Sequence, residues 1–377
     1  MPFENHLNII SFDIPYPPNY GGIIDIFYKI KALAEHGIKL HCHIFQYKDK
    51  ERPKILENFC EEIFYYKRNR LKNPFFLGTP YIVKTRKSDN LLTNLNNNKH
   101  PILFEGLHTC YYLNHNSLNN RLKIVRMHNI EHLYYLHLAK NETNIIKKAF
   151  FNIESKNLKE YLNILKFANK IAAISIEDTK YLDIKFPDKA FYLPVFHPNN
   201  KVQINTHKGN FALYNGNLSV NENIKAALFL INNIFSEINY KLIITGKNPH
   251  KILFHAIKNK PNIEIIGNPD EETMKKLLSD AQMHILPTFQ NTGIKLKLIN
   301  ALFNGKFIIV NKPMVENTNL KNISIVADTA EDMKKLIVSY TNKIPTPNSI
   351  EKRKQFLLNE YSNKKNAEIL INNIFKH

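Results

Sequence analysis

Residues 283–310, MHILPTFQNTGIKLKLINALFNGKFIIV, decide the fold. Their first five residues form a short apolar run that predicts a buried strand. Gly293 then predicts the start of a helix with apolar residues at helical spacing, and Gly305 predicts its end as a left-handed cap. A second apolar strand follows at 307–310. This order of elements predicts an open α/β sheet, whose ligands bind at the loop between strand and helix.

The same loop has the properties of an anion site. The free N–H groups and the dipole of a helix amino end favour a negatively charged ligand. Lys295 and Lys297 place positive charge in the first turn, which the dipole disfavours. An anionic ligand bound near Gly293 and Ile294 would offset that cost, so we predict a phosphate-binding turn here.

These residues resemble the donor-nucleotide segment of family-4 glycosyltransferases of the GT-B fold. The family pattern is roughly P-x-x-x-x-E-G-x-G-x-x-x-x-E-A-x-x-x-G-x-P-x-V. In this chain Pro287, Gly293, Ala301 and Gly305 fall in step with it, and Ile309 stands at the final valine. The G-I-K-x-K wording resembles a bacterial polysaccharide branch of these enzymes.

Both family glutamates are replaced in this chain. They fall on Thr292 and Asn300, and the second glycine of the pattern falls on Lys295. In the family the first glutamate contacts the donor sugar and the second contacts the ribose. Thr292 and Asn300 can still hydrogen-bond a hydroxyl, although neither supplies a carboxylate.

Composition limits the partners and the compartment. The chain has 377 residues and a net charge of +19, which indicates an acidic partner. The candidates are nucleic acid, an anionic membrane and a phosphorylated substrate. Alternatively, the positive charge reflects composition alone, because an A/T-rich genome enriches Lys, Asn and Ile. No basic block of five or six residues occurs, so we predict no nucleic-acid partner. Three cysteines without paired spacing and no apolar run of 18 residues predict a cytoplasmic protein without a signal peptide.

The amino-terminal half begins with a βαβ unit. A strand at 7–12 leads into the loop DIPYPPNYGG, which ends in Gly21 and Gly22 before a helix. Two glycines let the backbone approach a ligand closely. In GT-B enzymes the equivalent loop lies near the acceptor and the diphosphate, whereas a plain turn is the alternative interpretation.

His128 is the candidate catalytic residue. It follows the strand 122–127 in the segment VRMHNIEHLYY. The resemblance implies a histidine here that lines the cleft near the transferred sugar. Read literally, His128, Glu131 and His132 form H-x-x-E-H, an inverted zinc-protease motif. That motif needs both histidines on one helical face, whereas His128 should precede the helix, and Glu131 suits the first turn of the helix as a charged group.

The α/β alternation runs twice along the chain, which predicts an α/β protein of two doubly wound Rossmann-like domains facing a cleft, the GT-B architecture. The predicted divisions are an acceptor-side domain at 1–195, a linker at 196–210, a nucleotide-sugar domain at 211–345, and helices at 346–377 that cross back to the first domain. A basic helical stretch at 145–167 is expected to pack on its own sheet or to lie on a membrane.

In the second domain, YNGNLSVNENIK at 214–225 matches the first strand-turn of the family. Family members carry an arginine after this glycine and a lysine six residues on, and both grip the diphosphate. Here Asn217 follows Gly216, and Asn223 takes the lysine position. Diphosphate binding is therefore expected from Lys295, Lys297, backbone N–H groups and Lys247 after Gly246.

The resemblance implies a retaining glycosyltransferase that uses a nucleotide-sugar donor and a polysaccharide, glycolipid or lipid-linked acceptor. No D-x-D motif occurs, so we predict no metal and no cofactor. An anionic membrane surface, the inner face of the cell membrane, is a candidate partner. Two alternatives stay open, namely a catalytically degenerate GT-B scaffold that acts as a binding partner, and a sugar-nucleotide epimerase of the same architecture.

Overall fold

A computed structural model describes residues 5–47, 51–69, 75, 78–289, 296–316 and 318–376. The chain divides into two compact units. Unit 1 comprises 1–197 and 361–377, and unit 2 comprises 198–360. Each unit is built on one parallel sheet with helices on its faces, which confirms the predicted pair of doubly wound Rossmann-like domains.

Unit 1 contains a seven-stranded sheet in the order β3-β2-β1-β4-β5-β6-β7. Its elements are β1 (His6–Ser11), α1 (Gly21–Glu35), β2 (Lys39–Gln46), β3 (Glu62–Lys67), α2 (Tyr81–Lys84), α3 (Asp89–Asn96), β4 (Ile102–Glu105), β5 (Lys123–Met127), α4 (Glu131–Asn141), α5 (Ile145–Tyr161), β6 (Lys170–Ala173), α6 (Ile176–Lys185), β7 (Ala190–Tyr192) and, from the chain's end, the helix Asn363–Phe375. Short 3-10 helices lie at Lys54–Asn58, Leu107–Tyr112, Asn116–Leu118 and Leu162–Phe167. Apolar clusters cover both faces of the sheet, as parallel strands require.

Unit 2 contains a six-stranded sheet in the order β10-β9-β8-β11-β12-β13. Its elements are β8 (Phe211–Asn215), α7 (Asn221–Phe229), β9 (Lys241–Gly246), α8 (Lys251–Ile257), β10 (Ile263–Gly267), α9 (Glu271–Asp280), β11 (Met283–Leu286), α10 (Leu296–Asn304), β12 (Phe307–Val310), α11 (Lys312–Val315), β13 (Ile325–Val326), α12 (Ala330–Tyr340) and α13 (Pro347–Glu360). A π-helix at Leu230–Ile234 continues α7, and a 3-10 helix lies at Leu320–Ile323. We number the helix Asn363–Phe375 as α14.

The division of the chain differs from the predicted one at two places. Helix α13 belongs to unit 2, and only α14 returns to unit 1, where it packs on α1. The segment expected to be a linker also forms hydrogen bonds with unit 2. The Gln203 N–H donates to the Phe303 carbonyl at 2.8 Å. Similarly, the Gly209 N–H donates to Oε1 of Gln282 at 2.8 Å, which ties the segment to unit 2.

Gly305 ends α10 for a different reason than the predicted left-handed cap. Its φ lies outside the positive region that favours glycine. A Cβ at this position would lie 2.5 Å from Nε2 of His284, which is buried in β11. The glycine is therefore required because the end of α10 packs closely on the sheet. The expectation of a left-handed cap was wrong.

The basic helical stretch is two elements rather than one. Helix α5 ends at Tyr161, and a 3-10 helix continues to Phe167. Leu158, Leu162 and Leu165 are fully buried in the core of unit 1. The carboxyl half therefore packs on its own sheet. Among the described residues, no helix is both long and apolar enough to cross a bilayer.

Candidate functional site

Each sheet has a point where the order of its strands reverses. In unit 1 this point lies between β1 and β4, and in unit 2 it lies between β8 and β11. Loops that leave the carboxyl ends of two such strands turn to opposite faces and leave a crevice between them. Among the predicted site residues, Gly21 and Gly22 follow β1, and Gly216 and Asn217 follow β8, so they lie at these points.

In unit 1, His128 follows the end of β5, and Glu105 ends the neighbouring strand β4. The Nε2–H of His128 donates to Oε2 of Glu105 at 3.0 Å. Its Nδ1 lies 3.7 Å from Oδ2 of Asp25 on α1. The imidazole is therefore held between two carboxylates, and only 8% of the residue is exposed.

Lys29 and Arg126 complete a buried charge cluster, which we define as Asp25, Lys29, Glu105, Arg126 and His128. The ammonium group of Lys29 donates to both oxygens of Glu105 and to Oδ2 of Asp25, at 2.7 to 2.9 Å. Arg126 forms a two-point ion pair with Asp25 at 2.9 and 3.1 Å. Two carboxylates and two cations balance, so the buried charges compensate each other.

The cations also decide the protonation of the two acids. Burial opposes ionisation of Asp25, but Arg126 and Lys29 outweigh it and hold the pKa of Asp25 well below its usual value. Burial likewise opposes ionisation of Glu105, and Lys29 together with His128 lowers its pKa. Both acids are therefore carboxylates at neutral pH. Glu105 consequently accepts a hydrogen bond from His128 rather than donating one.

Gly21 and Gly22 begin α1, and the reason for the second glycine is visible. A Cβ on Gly22 would lie 2.7 Å from Cζ of Phe12. The Phe12 ring in turn meets His128 edge-on, with ring centres 5.5 Å apart. Gly22 thus makes room for an aromatic ring beside His128, whereas Gly21 is exposed at the amino end of the helix.

The H-x-x-E-H segment is not arranged as a zinc-protease motif. Helix α4 begins at Glu131, so His128 lies outside the helix and His132 inside it. Glu131 is 3% exposed, and burial together with Asp178 raises its pKa to about 8. Glu131 lies in the first turn of α4, as expected, and its raised pKa favours a protonated carboxyl group over a charged one near neutral pH.

In unit 2, the turns after β8 and β9 are in direct contact. A Cβ at Gly246 would overlap the carbonyl oxygen of Gly216, and Gly246 has a φ of +150°. The Leu218 N–H also donates to the Lys247 carbonyl at 2.8 Å. The structure thus brings the two predicted glycine turns together at the carboxyl edge of the sheet, with the Lys247 side chain exposed.

Lys297 joins these turns from α10. Its ammonium group donates to Oδ1 of Asn223 at 3.0 Å and lies 5.1 Å from the centre of the Tyr214 ring. The Asn223 amide donates to the carbonyl oxygen of Asn217 at 3.0 Å. The cation of Lys297 therefore lies beside Asn223, the position where the resembling family has its lysine.

The remaining donor-site predictions are only partly placed. Asn300 lies one turn beyond Lys297 on α10, and its Oδ1 accepts from the Asn304 amide at 3.1 Å. Thr292, Gly293, Ile294 and Lys295 lie outside the described residues.

Sequence reasoning missed Glu222. The hydroxyl of Thr288, two residues after the end of β11, donates to Oε1 of Glu222 in the first turn of α7. The Phe289 ring packs on the same helix: its centre lies 4.9 Å from the Lys225 ammonium group and 5.5 Å from the centre of the Phe229 ring. A carboxylate thus lies beside Thr288, four positions before Thr292, where the resembling family has its first glutamate. No motif signals this residue, because its partner is 66 positions away in the chain.

Comparison with known proteins reveals a remote sequence relative. No family model matches the chain. A Klebsiella pneumoniae protein, described as an uncharacterized 44.6 kDa protein in the cps region, is 25% identical over 361 residues. The match covers 89% of this chain and 91% of the relative.

Solved structures resemble the chain over its whole length. TarM has a TM-score of 0.72 at 11% identity, covering 99% of both chains. Anabaena Alr3699/HepE in complex with UDP has a TM-score of 0.66 at 10% identity, covering 98% of this chain and 99% of that one. WaaG, a glycosyltransferase involved in lipopolysaccharide biosynthesis, has a TM-score of 0.64 at 10% identity, covering 98% and 100%. These similarities establish the GT-B fold.

Proposed function

We propose that this GT-B chain is a glycosyltransferase. It would move a sugar from a nucleotide-sugar donor to a polysaccharide, glycolipid or lipid-linked acceptor. The observation that carries the proposal is the contact between the Gly216 and Gly246 turns beside Lys297, at the strand-reversal point of unit 2. Similar folds include a chain bound to UDP and a glycosyltransferase of lipopolysaccharide biosynthesis, and a sequence relative lies in a cps region.

Unit 2 would bind the donor diphosphate without a metal. The two glycine turns leave backbone close to the crevice, and glycine permits a phosphate to approach. Lys297 supplies a positive charge where Asn217 and Asn223 are neutral. An ammonium group can stabilise the charge that develops on the leaving diphosphate, as a metal ion would in other transferases.

Glu222 would take the place of a missing family glutamate by binding a donor-sugar hydroxyl. It lies beside Thr288, four positions before Thr292. A Glu222→Gln variant should bind free nucleotide as the natural chain does and lose affinity for the nucleotide sugar. Equal losses for both ligands would contradict this role.

In unit 1 we assign His128 as the catalytic residue and Glu105 as the residue that positions it. Glu105 fixes the orientation of the ring by accepting from its Nε2–H. The reaction would retain the configuration of the sugar, in line with the family-4 resemblance. Positioning and electrostatics would supply the rate, without a covalent enzyme nucleophile.

A degenerate scaffold is the second candidate, and the neutral residues Asn217 and Asn223 favour it, since the resembling family grips the diphosphate with cations at both positions. A sugar-nucleotide epimerase of the same fold would differ by needing no acceptor. The position of Lys297 beside Asn223 favours the enzyme, because it restores one of the missing cations.

A nucleotide panel distinguishes these candidates. Thermal unfolding of the full chain is followed with UDP-, GDP- and ADP-sugars, and stabilisation by one nucleotide class is expected. Stabilisation by none of them would favour the scaffold. Product analysis with the bound donor then separates the transferase from the epimerase, because conversion of the donor sugar without an acceptor would show the epimerase.

We further propose that the hairpin of α4 and α5 contacts an anionic membrane that carries the acceptor. Ile145 and Ile146 at the start of α5 are 82% and 69% exposed, and Lys147 and Lys148 follow them. Leu133 and Leu136 on α4 are also exposed. Apolar side chains flanked by lysines match the interface of an acidic bilayer, and the net charge of +19 has the right sign.

A further inference from the structure

Three histidines meet near the amino ends of the strands of unit 1, which we define as the histidine cluster. His6 begins β1, His41 lies in β2, and His100 precedes β4 by two residues. In the parallel register Asn8 pairs with both His41 and Ile102. Because side chains alternate between the two faces of a sheet, all three histidines lie on one face.

The imidazoles are within reach of one ion. Ring nitrogens of His6, His41 and His100 all lie within 4.8 Å of one another. Nδ1 of His6 is 2.9 Å from Nε2 of His41. The ring centre of His100 lies 4.5 Å from that of His6 and 5.2 Å from that of His41.

A carboxylate fixes one tautomer. Nδ1 of His41 lies 2.7 Å from Oε2 of Glu62 on β3, so Nδ1 carries the proton and donates it. Nε2 of His41 then has its lone pair free to accept from His6 Nδ1–H. A carboxylate behind a histidine, with the other nitrogen turned to a ligand, is the usual outer-shell arrangement of metal-bound histidines.

Hydrogen bonds from Arg121 go to the backbone carbonyl of the third histidine. The Arg121 Nε donates to the His100 carbonyl at 2.8 Å, and the rest of the guanidinium donates to the Leu95 carbonyl and to Oδ1 of Asn98.

We propose that the histidine cluster is a binding site for a divalent transition-metal ion that prefers imidazole, Zn²⁺ first. Three histidines and one water complete a four-coordinate zinc site. Tetrahedral ligands at zinc–nitrogen distances of about 2.0–2.1 Å lie about 3.3 Å apart. The 2.9 Å between His6 and His41 therefore opens slightly, and the His100 ring turns to bring its nitrogen inward.

Proton balance accompanies the binding. The ion replaces the proton between His6 and His41, and His6 carries its proton on Nε2 instead of Nδ1. His41 keeps its Nδ1–H to Glu62, so no side chain changes its net charge. The site lies at the opposite end of β1 from Phe12, roughly 20 Å away at about 3.3 Å per residue, so it clamps strands rather than joining the donor or His128 site.

The test uses the full chain without an affinity tag, stripped with a chelator and then titrated with zinc sulfate at micromolar concentration. One zinc per chain after dialysis is expected, with a rise of several degrees in the unfolding midpoint. Cobalt substitution should give the visible absorption of a four-coordinate ion. Metal bound only at millimolar concentration, or a stoichiometry of zero, would overturn the proposal.

Matched variants locate the ion. His6→Ala and His100→Ala should each lower the affinity for zinc at least tenfold and remove the thermal shift. His255→Ala removes an exposed histidine of α8 and should keep both. Glu62→Gln should weaken binding by about 10- to 100-fold, as loss of an outer-shell carboxylate does. Zinc bound equally by the His6 and His100 variants and by the natural chain would refute the site.

Discussion

The ammonium group of Lys29 lies 2.7 Å from Oε1 and 2.9 Å from Oε2 of Glu105, and both side chains are fully buried. Glu105 also accepts from His128, so one carboxylate joins the cation on α1 to the candidate catalytic ring. Its place at the end of β4 puts this junction at the strand-reversal point of unit 1.

Glu105→Gln should destabilise the fold and abolish transfer. An amide is neutral, so Lys29 loses one of two anionic partners, and loss of a partner from a buried ion pair costs about 3–5 kcal/mol. Chemical denaturation and transfer assays measure the two effects. Glu177→Gln removes an exposed pair with Lys180 and should change neither. Full activity in a stable Glu105→Gln chain would show that His128 needs no positioning carboxylate.

Stability should depend on pH through Glu131. Its folded pKa of about 8 exceeds the unfolded value, so its contribution is full below the unfolded pKa and is lost as pH rises towards 8. Between pH 5 and pH 8, the unfolding free energy of the Glu131→Gln variant should therefore rise relative to that of the natural chain by on the order of 3 kcal/mol. Unfolding free energies at both pH values measure this difference. The control Glu160→Gln changes an exposed residue of α5, so its unfolding free energy should differ from that of the natural chain by the same amount at pH 5 and at pH 8. The same result for Glu131→Gln would show that the Glu131 carboxyl group is ionised in the folded chain.

Gly246→Ala should disrupt the donor site, whereas Gly37→Ala should not. Both glycines have positive φ, but only at Gly246 would a Cβ overlap another backbone group, the Gly216 carbonyl. At Gly37 no atom lies within 4 Å of the added Cβ, so only backbone strain of about 1–2 kcal/mol is expected. Thermal unfolding and nucleotide titration measure the contrast. Equal nucleotide affinity in the two variants would remove the Gly216 and Gly246 turns from the donor site.

Lys297→Ala should weaken nucleotide diphosphate binding by about 10- to 100-fold, the size of a lost hydrogen bond to a charged group. Lys297→Arg should recover part of this affinity because the charge is kept. Lys276→Ala, an exposed lysine of α9, is the control. Titration with the nucleotide chosen from the panel measures the change. The same test applies to Lys295→Ala, and unchanged affinity in both variants would contradict the proposed phosphate position.

Ile145→Ser with Ile146→Ser should weaken binding to vesicles that contain an anionic lipid, while leaving nucleotide affinity unchanged. The apolar area that enters the interface is lost, and added salt should weaken binding further because it screens Lys147 and Lys148. Vesicle sedimentation measures the bound fraction. Ile184→Ser removes an isoleucine that is 85% exposed on α6 and serves as the control. No affinity for such vesicles at low salt would end the membrane part of the proposal.

The sequence by itself determined the fold class, because hydrophobic periodicity and the residues that end helices and strands are local properties. Alternating apolar strands and helices predicted two parallel sheets, and the chain order placed His128 after a strand. Helix caps are equally local: Ser175 stands three residues before Asp178, and its Oγ accepts from the Asp178 N–H at 3.0 Å. Such features depend on residues only a few positions apart.

Only the tertiary structure decided which groups meet. Lys29 and Glu105 are 76 positions apart, and Thr288 and Glu222 are 66 apart, so no local pattern links them. The same holds for the protonation of Glu131 and for the neighbours of Gly305, because burial and close packing come from distant elements. Parallel strands bring their ends to one edge whatever their separation in the chain, and that is why the charge cluster and the histidine cluster appear only in the folded sheet.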